Sequence, residues 1–165
     1  MTSITCAETQ NDMTEARALF EEYAASLDFG LDFQDFEHEL ESFPGEYAAP
    51  TGCILLAREH SQTAGCVALR SMGEGTCEMK RMYVVPRFRG RGIGRELALA
   101  VITDARRLGY KRMRLDTVAA MKEANALYRS LGFQTIEPYR YNPLPDAIFM
   151  ELDLERGNNP EHTGI

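Results

Sequence analysis

The hydrophobic pattern of this chain is clearest in its middle third, where short apolar runs alternate with polar turns. The runs at residues 53–57 and 64–69 flank the polar segment 59–62, which is typical of an antiparallel hairpin. Residues 71–76 include two glycines and predict the next turn, and a further strand is predicted to begin at Cys77. The pattern therefore predicts three consecutive strands joined by turns.

Apolar side chains recur at helical spacing in two longer segments. Asn11 or Asp12 can cap the first helix, and the apolar residues that follow between positions 16 and 23 recur with the 3.6-residue period. A second apolar stripe runs from Ile93 to Leu108 and ends at Gly109, a residue type common at helix C-termini. Further helices are predicted at residues 34–42 and 121–131, and further strands at 4–7, 113–117, 133–137 and 147–154.

The length and charge of the chain exclude several classes of protein. At 165 residues we expect one domain, residues 1–154, followed by a flexible tail at 155–165. With 18 Lys and Arg against 25 Asp and Glu, the net charge of −7 argues against a broad basic surface for nucleic acid. No apolar stretch approaches the ~20 residues that cross a bilayer, and the N-terminus lacks the pattern of a secretory leader. We therefore expect a cytoplasmic protein with no membrane partner.

The four cysteines, Cys6, Cys53, Cys66 and Cys77, fall on predicted strands, without C-x-x-C spacing and with only three scattered histidines. This pattern does not favour a metal site, so no metal is expected. A disulfide between Cys53 and Cys66 across the hairpin remains open. Thiols that pack as small apolar residues are the favoured alternative.

The segment most informative about function is Arg89-Gly90-Arg91-Gly92-Ile93-Gly94, which lies between an apolar strand and a helix. A helix N-terminus offers unpaired backbone N–H groups and the positive end of the helix dipole, and the arginines add guanidinium donors. Such a turn is suited to binding phosphate. Two alternatives remain: glycines that serve only tight packing, and a nucleic-acid-binding fold that uses the Arg-Gly turn.

The spacing of the glycines discriminates between phosphate ligands. A dinucleotide-binding turn requires G-x-G-x-x-G and a P-loop requires G-x-x-x-x-G-K-[ST], and neither fits Gly90-x-Gly92-x-Gly94. The form R-x-x-G-x-G resembles the pyrophosphate loop of the GNAT superfamily of acyl-CoA-dependent N-acyltransferases. The resemblance covers residues 52–154 and includes the strand at 78–84, the helix that carries Tyr128, the turn Leu131-Gly132-Phe133 and the last strand.

The resemblance implies both a fold and an activity. The fold would be of the α/β (α+β) class, with a mixed, mostly antiparallel twisted sheet of six or seven strands flanked by about four helices. The activity would be transfer of an acetyl group from acetyl-CoA to a primary amine of a small molecule or peptide, by direct attack in a ternary complex. No nucleic-acid partner is expected, and a homodimer remains open. The alternative from another class is a non-catalytic acyl-CoA-binding or sensing module.

Two residues match catalytic positions of the family. Tyr128 matches the general-acid tyrosine, which would protonate the leaving thiolate, although a tyrosine on an apolar helix stripe can simply pack. Glu78 matches a glutamate that some members use as general base, a role suited to a raised pKa in a partly desolvated cleft. By the two-residue period Glu78, Lys80 and Met82 share one strand face, so an ion pair of Glu78 with Lys80 or Arg81 on a solvated face is the alternative.

The resemblance also implies which residues hold the cofactor. The main chain of the strand before the loop would pair with the pantetheine arm and the acyl carbonyl, and the loop amides would bind the pyrophosphate. Many members carry an asparagine seven residues before the tyrosine; here that residue is Met121, and Asn125 does not occupy the matching position. The implied cofactor-binding residues are Met82, Tyr83, Val84, Arg89, Gly90, Arg91, Gly92, Ile93, Gly94 and Arg95.

The acceptor site is predicted from two loops that border the cleft in this family. One contains Phe29, Asp32 and Phe33, and the other spans residues 139–142. Aromatic rings beside an aspartate and an arginine suit a zwitterionic amine such as an amino acid or a peptide end, although the same residues can be surface packing. The predicted substrate residues are Phe29, Phe33, Tyr139 and Tyr141.

Overall fold

The computed structural model describes residues 2–27, 30 and 35–156. The strands of this part are β1 (Thr2–Cys6), β2 (Cys53–Glu59), β3 (Gln62–Gly73), β4 (Thr76–Val84), β5 (Arg112–Val118), β6 (Gln134–Ile136) and β7 (Ala147–Asp153). The helices are α1 (Gln10–Ser26), α2 (Phe36–Glu41), α3 (Ile93–Arg107) and α4 (Lys122–Ser130), with 3₁₀ turns at Gly45–Tyr47 and Pro86–Phe88. None of these helices is long and apolar enough to cross a membrane.

The seven described strands form one sheet in the order β1-β2-β3-β4-β5-β7-β6. Every neighbouring pair is antiparallel except β4 and β5, which run parallel. The predicted fold class, a mixed and mostly antiparallel sheet with about four helices, is confirmed.

The N-terminus of α1 differs from the sequence prediction in its cap. Thr9, not Asn11 or Asp12, is the N-cap residue: its hydroxyl accepts from the Asp12 amide at 3.0 Å. The Asp12 carboxylate accepts in return from the amides of Thr9 and Glu8, at 3.1 and 3.0 Å. This reciprocal capping box satisfies amides that would otherwise lack partners, and it also lowers the pKa of Asp12 to about 2.

The two faces of the sheet are covered by different helices. A Cβ at Gly65 on β3 would lie 3.2 Å from Leu97 of α3, so that face packs against α3. The next residue, Cys66, pairs with Tyr83, whose hydroxyl donates to Glu22 of α1 at 2.6 Å. Successive strand residues point to opposite faces, so α1 and α3 lie on opposite sides of the sheet. Leu97 is fully buried, and burial of such a side chain stabilises the fold by ~2 kcal/mol.

The register of the hairpin keeps the cysteines apart. Cys66 pairs with Leu56 across β2 and β3, whereas Cys53 pairs with Leu69, so the two thiols are not opposite each other. All four cysteines are free. The disulfide that the sequence left open is therefore not formed, and Cys66 is buried as a small apolar residue.

β4 is irregular against β3 and pairs only briefly with β5. Between the pairs Cys66–Tyr83 and Ala68–Lys80, β3 contributes one residue and β4 contributes two, which is a β-bulge. Arg81 adopts the left-handed conformation there, with φ of 59°. The parallel pairing of β4 with β5 covers only residues 76–78 and 112–114, so the two described strands separate beyond that point. The extra residue also breaks the alternation, so the prediction that Met82 shares a face with Glu78 and Lys80 by strict two-residue period is wrong.

Candidate active site

Two glycines shape the turn between β4 and α3. Gly90 and Gly92 have φ of 81° and 80°, the left-handed region that favours glycine, and a Cβ at either position would meet only open space. Gly92 is the N-cap of α3, and its carbonyl accepts the first helical bond from the Glu96 amide at 3.1 Å. The amides of residues 93–95 therefore lack acceptors within the helix and are directed out of its N-terminus.

This turn borders a cleft of about 670 Å³, which we call the loop cleft. Its other walls come from the end of α1, from β4 beyond the bulge and from the start of α4. Arg91 and Arg95 do not line it: the Arg91 guanidinium lies 5.5 Å from the Phe88 ring centroid, and Arg95 Nη1 lies 3.4 Å from Ser130 Oγ. The implied cofactor residues that do line it are Met82, Tyr83, Val84, Arg89, Gly90, Gly92, Ile93 and Gly94.

Along the end of β4, the backbone N–H and C=O groups of successive residues point alternately toward β3 and toward the loop cleft. The Val85 amide donates to the Ala64 carbonyl on β3 at 2.8 Å, so the polar groups of Val84, one residue earlier, point away from β3. Arg89 Nε donates to the Val84 carbonyl at 2.9 Å from that side. Val84 thus presents its amide to the cleft, whereas Tyr83 is engaged in the ladder with Cys66.

Tyr128, the predicted general acid, does not line the loop cleft but a smaller space beside it. It lines a narrow pocket of about 70 Å³ between the separated strands β4 and β5, which we call the strand gap. The strand gap shares Tyr23, Met82 and Met121 with the loop cleft, so the two spaces adjoin. Burial raises the pKa of the Tyr128 hydroxyl well above its ordinary value, so the phenol keeps its proton at neutral pH.

Asn125 has a structural position beside this pocket. Its Nδ2 donates to the Val118 carbonyl at 2.9 Å, and its Oδ1 accepts from the Thr117 hydroxyl at 2.9 Å. The side chain is buried and joins α4 to the end of β5. Met121 is the N-cap residue of α4 and lines the loop cleft with an apolar side chain, so no amide replaces the family asparagine at this position.

Glu78 is fully buried and is held by three groups, one from the neighbouring strand β3 and two from the 139–142 segment. Arg70 Nε donates to its Oε1 at 2.8 Å, and Tyr139 Oη donates to its Oε2 at 2.7 Å. Arg140 forms an ion pair with the same Oε2. Burial alone would raise the pKa of Glu78, but the positive charges of Lys80, Arg140 and Arg70 outweigh it and lower the pKa to about 2.

The expectation of a raised pKa at Glu78 is therefore wrong, because the sequence did not show that two arginines converge on it. The alternative of an ion pair on a solvated face is wrong in its setting, because Glu78 and Lys80 are both buried, and the positive charge of Lys80 helps to lower the pKa of Glu78. Arg81 instead forms two hydrogen bonds with Glu39 of α2, at 2.9 and 2.7 Å. With a pKa near 2 the Glu78 carboxylate is a weak base, and its position suits it to hold the arginines in place.

A second cleft of about 580 Å³, the arginine cleft, has one lining residue, Lys80, in common with the strand gap. Lys80 lines both spaces and is buried, and burial together with Arg81 lowers its pKa to about 8. The walls come from α2, from the 3₁₀ turn Gly45–Tyr47 and from the 139–142 segment. Its lining residues are Asp35, His38, Glu39, Ser42, Pro44, Gly45, Glu46, Tyr47, Arg70, Lys80 and Arg140.

The predicted acceptor residues are only partly brought to this site. Tyr139 contacts Glu78 behind the arginine cleft, whereas the Tyr141 side chain is exposed, at 77%, and does not line the cleft. Phe29, Asp32 and Phe33 lie outside the described residues. Arg70 was missed entirely by sequence reasoning; the one available signal was a charged residue directly after the buried run 64–69. In the described ranges no group of three or more His, Cys, Asp or Glu is placed to hold a metal ion.

Comparisons with known proteins agree with this geometry. The model of the acetyltransferase (GNAT) family matches residues 16–133. An uncharacterised N-acetyltransferase of Schizosaccharomyces pombe is 38% identical over 156 residues, which cover 93% of this chain and 96% of that protein. A protein of Klebsiella pneumoniae, whose crystal structure is described as that of an acyl-CoA N-acyltransferase, is 30% identical in sequence. The two structures align with a TM-score of 0.68 over 93% of this chain and 98% of that one. An acetyltransferase structure from Salmonella typhimurium with acetyl-CoA is 20% identical, with a TM-score of 0.70 over 96% of this chain and 97% of that one.

Proposed function

This chain belongs to the GNAT family of acetyltransferases, and from that premise we propose that it transfers an acetyl group from acetyl-CoA to a primary amine of a small molecule or peptide. The observation that supports the proposal is that the strand gap shares lining residues with both clefts: Tyr23, Met82, Met121 and Ala124 with the loop cleft, and Lys80 with the arginine cleft. A donor and an acceptor entering from opposite ends would meet between β4 and β5, as a ternary complex requires.

The residues present fit an acyl-CoA thioester. The amides of residues 93–95 and the dipole of α3 would bind the pyrophosphate, and the missing side chains at Gly90 and Gly92 leave open space for it. Arg89 lines the cleft and would add a positive charge. The outward amide of Val84 would donate to the pantetheine arm, which extends along β4 toward the strand gap.

At the reacting end the chain's own groups have separate tasks. The amine nitrogen forms a bond to the acetyl carbon and loses a proton to water, while the bond from that carbon to sulfur breaks and the sulfur receives a proton. Tyr128 keeps its proton at neutral pH and lines the gap, and would donate that proton to the leaving thiolate. The backbone of Met82, where the loop cleft and the strand gap meet, would bind the acyl oxygen. Glu78 would position Arg70 and Arg140, and does not act as the base.

The test of donor binding uses Gly94, whose added Cβ would make ordinary contacts of 3.7 Å to Val84 and 3.9 Å to Leu127. Gly94→Asp places a negative charge in the first turn of α3, which favours the helix but repels a pyrophosphate. Gly94→Asn has the same size without the charge. We expect calorimetry to show at least tenfold weaker coenzyme A binding for Gly94→Asp than for Gly94→Asn, with no loss of unfolding free energy. Equal affinities would contradict the pyrophosphate site.

The test of transfer is thiol release from acetyl-CoA in the presence of amino acids, polyamines, aminoglycosides and peptides. Release that depends on the added amine would support the enzyme. A non-catalytic acyl-CoA-binding module would bind coenzyme A normally and release no thiol with any amine, and that result would overturn the proposed activity.

A further inference from the structure

The arginine cleft has a cationic floor. Arg70, Lys80 and Arg140 line it together, and the side chains of Arg70 and Arg140 remain 23% and 20% exposed, so a molecule in the cleft can reach them. Among the described residues, Glu78 is the one acid near this floor that is fully buried, and it bridges the two arginines.

The remaining acids near the floor have other positions. Glu39 is committed to Arg81 through two hydrogen bonds. Asp116 lies 3.8 Å from Arg140 and accepts from Asn142 at 3.3 Å. Neither carboxylate covers the side of Arg70 that faces the cleft. Asp35 stands at the exposed rim, with His38 beside the same opening.

The cleft already contains a carboxylate on Arg70. Glu46, from the 3₁₀ turn, forms an ion pair with Arg70 Nη1 while its own side chain is 69% exposed. An exposed ion pair of this kind contributes little to the stability of the fold. The Glu46 carboxylate is already largely hydrated, so it can leave Arg70 for water at little cost. A carboxylate on an incoming molecule can therefore replace it, and would gain charge-assisted hydrogen bonds to a guanidinium that Glu78 holds in a fixed orientation.

We propose that the acceptor is an amine that carries a carboxylate, and that this carboxylate binds Arg70 in place of Glu46 while the amine reaches past Lys80 into the strand gap. The inference rests on the proposed acetyl transfer. Arg140 adds positive charge for the carboxylate in the same cleft as Arg70, and a volume of about 580 Å³ suits an amino acid or a short peptide end. The acidic rim adds attraction for the ammonium end of such a zwitterion as it enters.

The experiment compares matched acceptors, each an amino acid with one carboxylate and its carboxamide, with alanine and alaninamide as the first pair. The amino group of the carboxamide is less basic than that of the acid, so near neutral pH a larger fraction of the carboxamide carries the neutral, nucleophilic amine. A preference for the acid therefore cannot come from the protonation of its amine. We expect kcat/KM for thiol release to be at least tenfold higher for the acid. Equal values, or preference for the amide, would overturn the proposal.

Variants locate the effect. Glu46→Gln removes the competing carboxylate and should lower KM for the acid by roughly two- to fivefold, with kcat and the KM of the amide unchanged. Glu41→Gln removes a charge from the exposed end of α2 outside the cleft lining, and should change neither. Arg70→Gln should raise KM for the acid at least tenfold and spare the amide, with circular dichroism checking its fold. An unchanged KM for the acid in both Glu46→Gln and Arg70→Gln would refute the assigned site.

Binding separates this inference from the proposed reaction. Calorimetric titration of the full chain, saturated with coenzyme A, measures the affinity of the same acids and amides without turnover. Tighter binding of the acid that strengthens in Glu46→Gln supports the carboxylate site even if no thiol is released, and in that case only the proposed reaction fails. Equal affinities of the acid and its amide would contradict the carboxylate site even if some amine proves to be acetylated.

Discussion

The Glu78 carboxylate offers the sharpest test of the site's electrostatics. Because its pKa is lowered in the folded protein, it stabilises the fold at every pH above its ordinary pKa of 4.5, and this contribution is lost as the pH falls through 4.5 toward 2. The difference between 4.5 and about 2 corresponds to ~3 kcal/mol. Glu78→Gln should therefore lower the free energy of unfolding at pH 7 by ~3 kcal/mol, since it leaves Arg70 and Arg140 without a buried counter-charge.

The assay is urea unfolding of both proteins at several pH values. At pH 3.5 the wild-type protein has lost ~1.4 kcal/mol of this contribution, so the gap between the two proteins should be smaller there by that amount. Glu37→Gln, on an exposed part of α2, serves as the control and should differ from wild type at neither pH. A Glu78→Gln protein that keeps full stability at pH 7 yet loses turnover would refute this reasoning and return Glu78 to the role of base.

Two further predictions concern Tyr128 and the packing of β3 against β4. Tyr128→Phe should lower kcat by at least tenfold and leave coenzyme A affinity nearly unchanged, since the ring still packs against Phe133 while the proton donor is lost; undiminished turnover would reject the tyrosine as acid. Gly65→Ala should lower the free energy of unfolding by ~2 kcal/mol, because its Cβ would lie 2.6 Å from the Tyr83 carbonyl and 3.2 Å from Leu97 at the strand that carries the bulge. Thermal unfolding checks it, and an unchanged midpoint would show that β3 and β4 can separate at little cost.

Local patterns in the sequence predicted the frame of this molecule well. The glycine turn, the stripe that became α3 and the hairpin of β2 and β3 depend on residues close together in the chain, so periodicity and turn chemistry suffice. Eight of the ten implied cofactor residues line one cleft for the same reason: they follow one another along β4 and its turn.

The acceptor side could not be predicted in this way. Lys80 and Arg81 follow Glu78 closely in the sequence. Its hydrogen-bonding partners Arg70 and Arg140, however, come from β3 and from a segment 62 residues away. The bulge at Arg81 leaves no local signal either, since an arginine with positive φ is uncommon and is tolerated here because Glu39 holds its side chain. Both features depend on contacts across the sheet, which a single sequence does not display.

In the proposed reaction, the meeting place of the two reactants lies beside the extra residue of β4, which is a feature of the backbone and not of one side chain. If that reaction is correct, substitutions in the surrounding helices and loops would change which amine is admitted without moving the point where bonds are made.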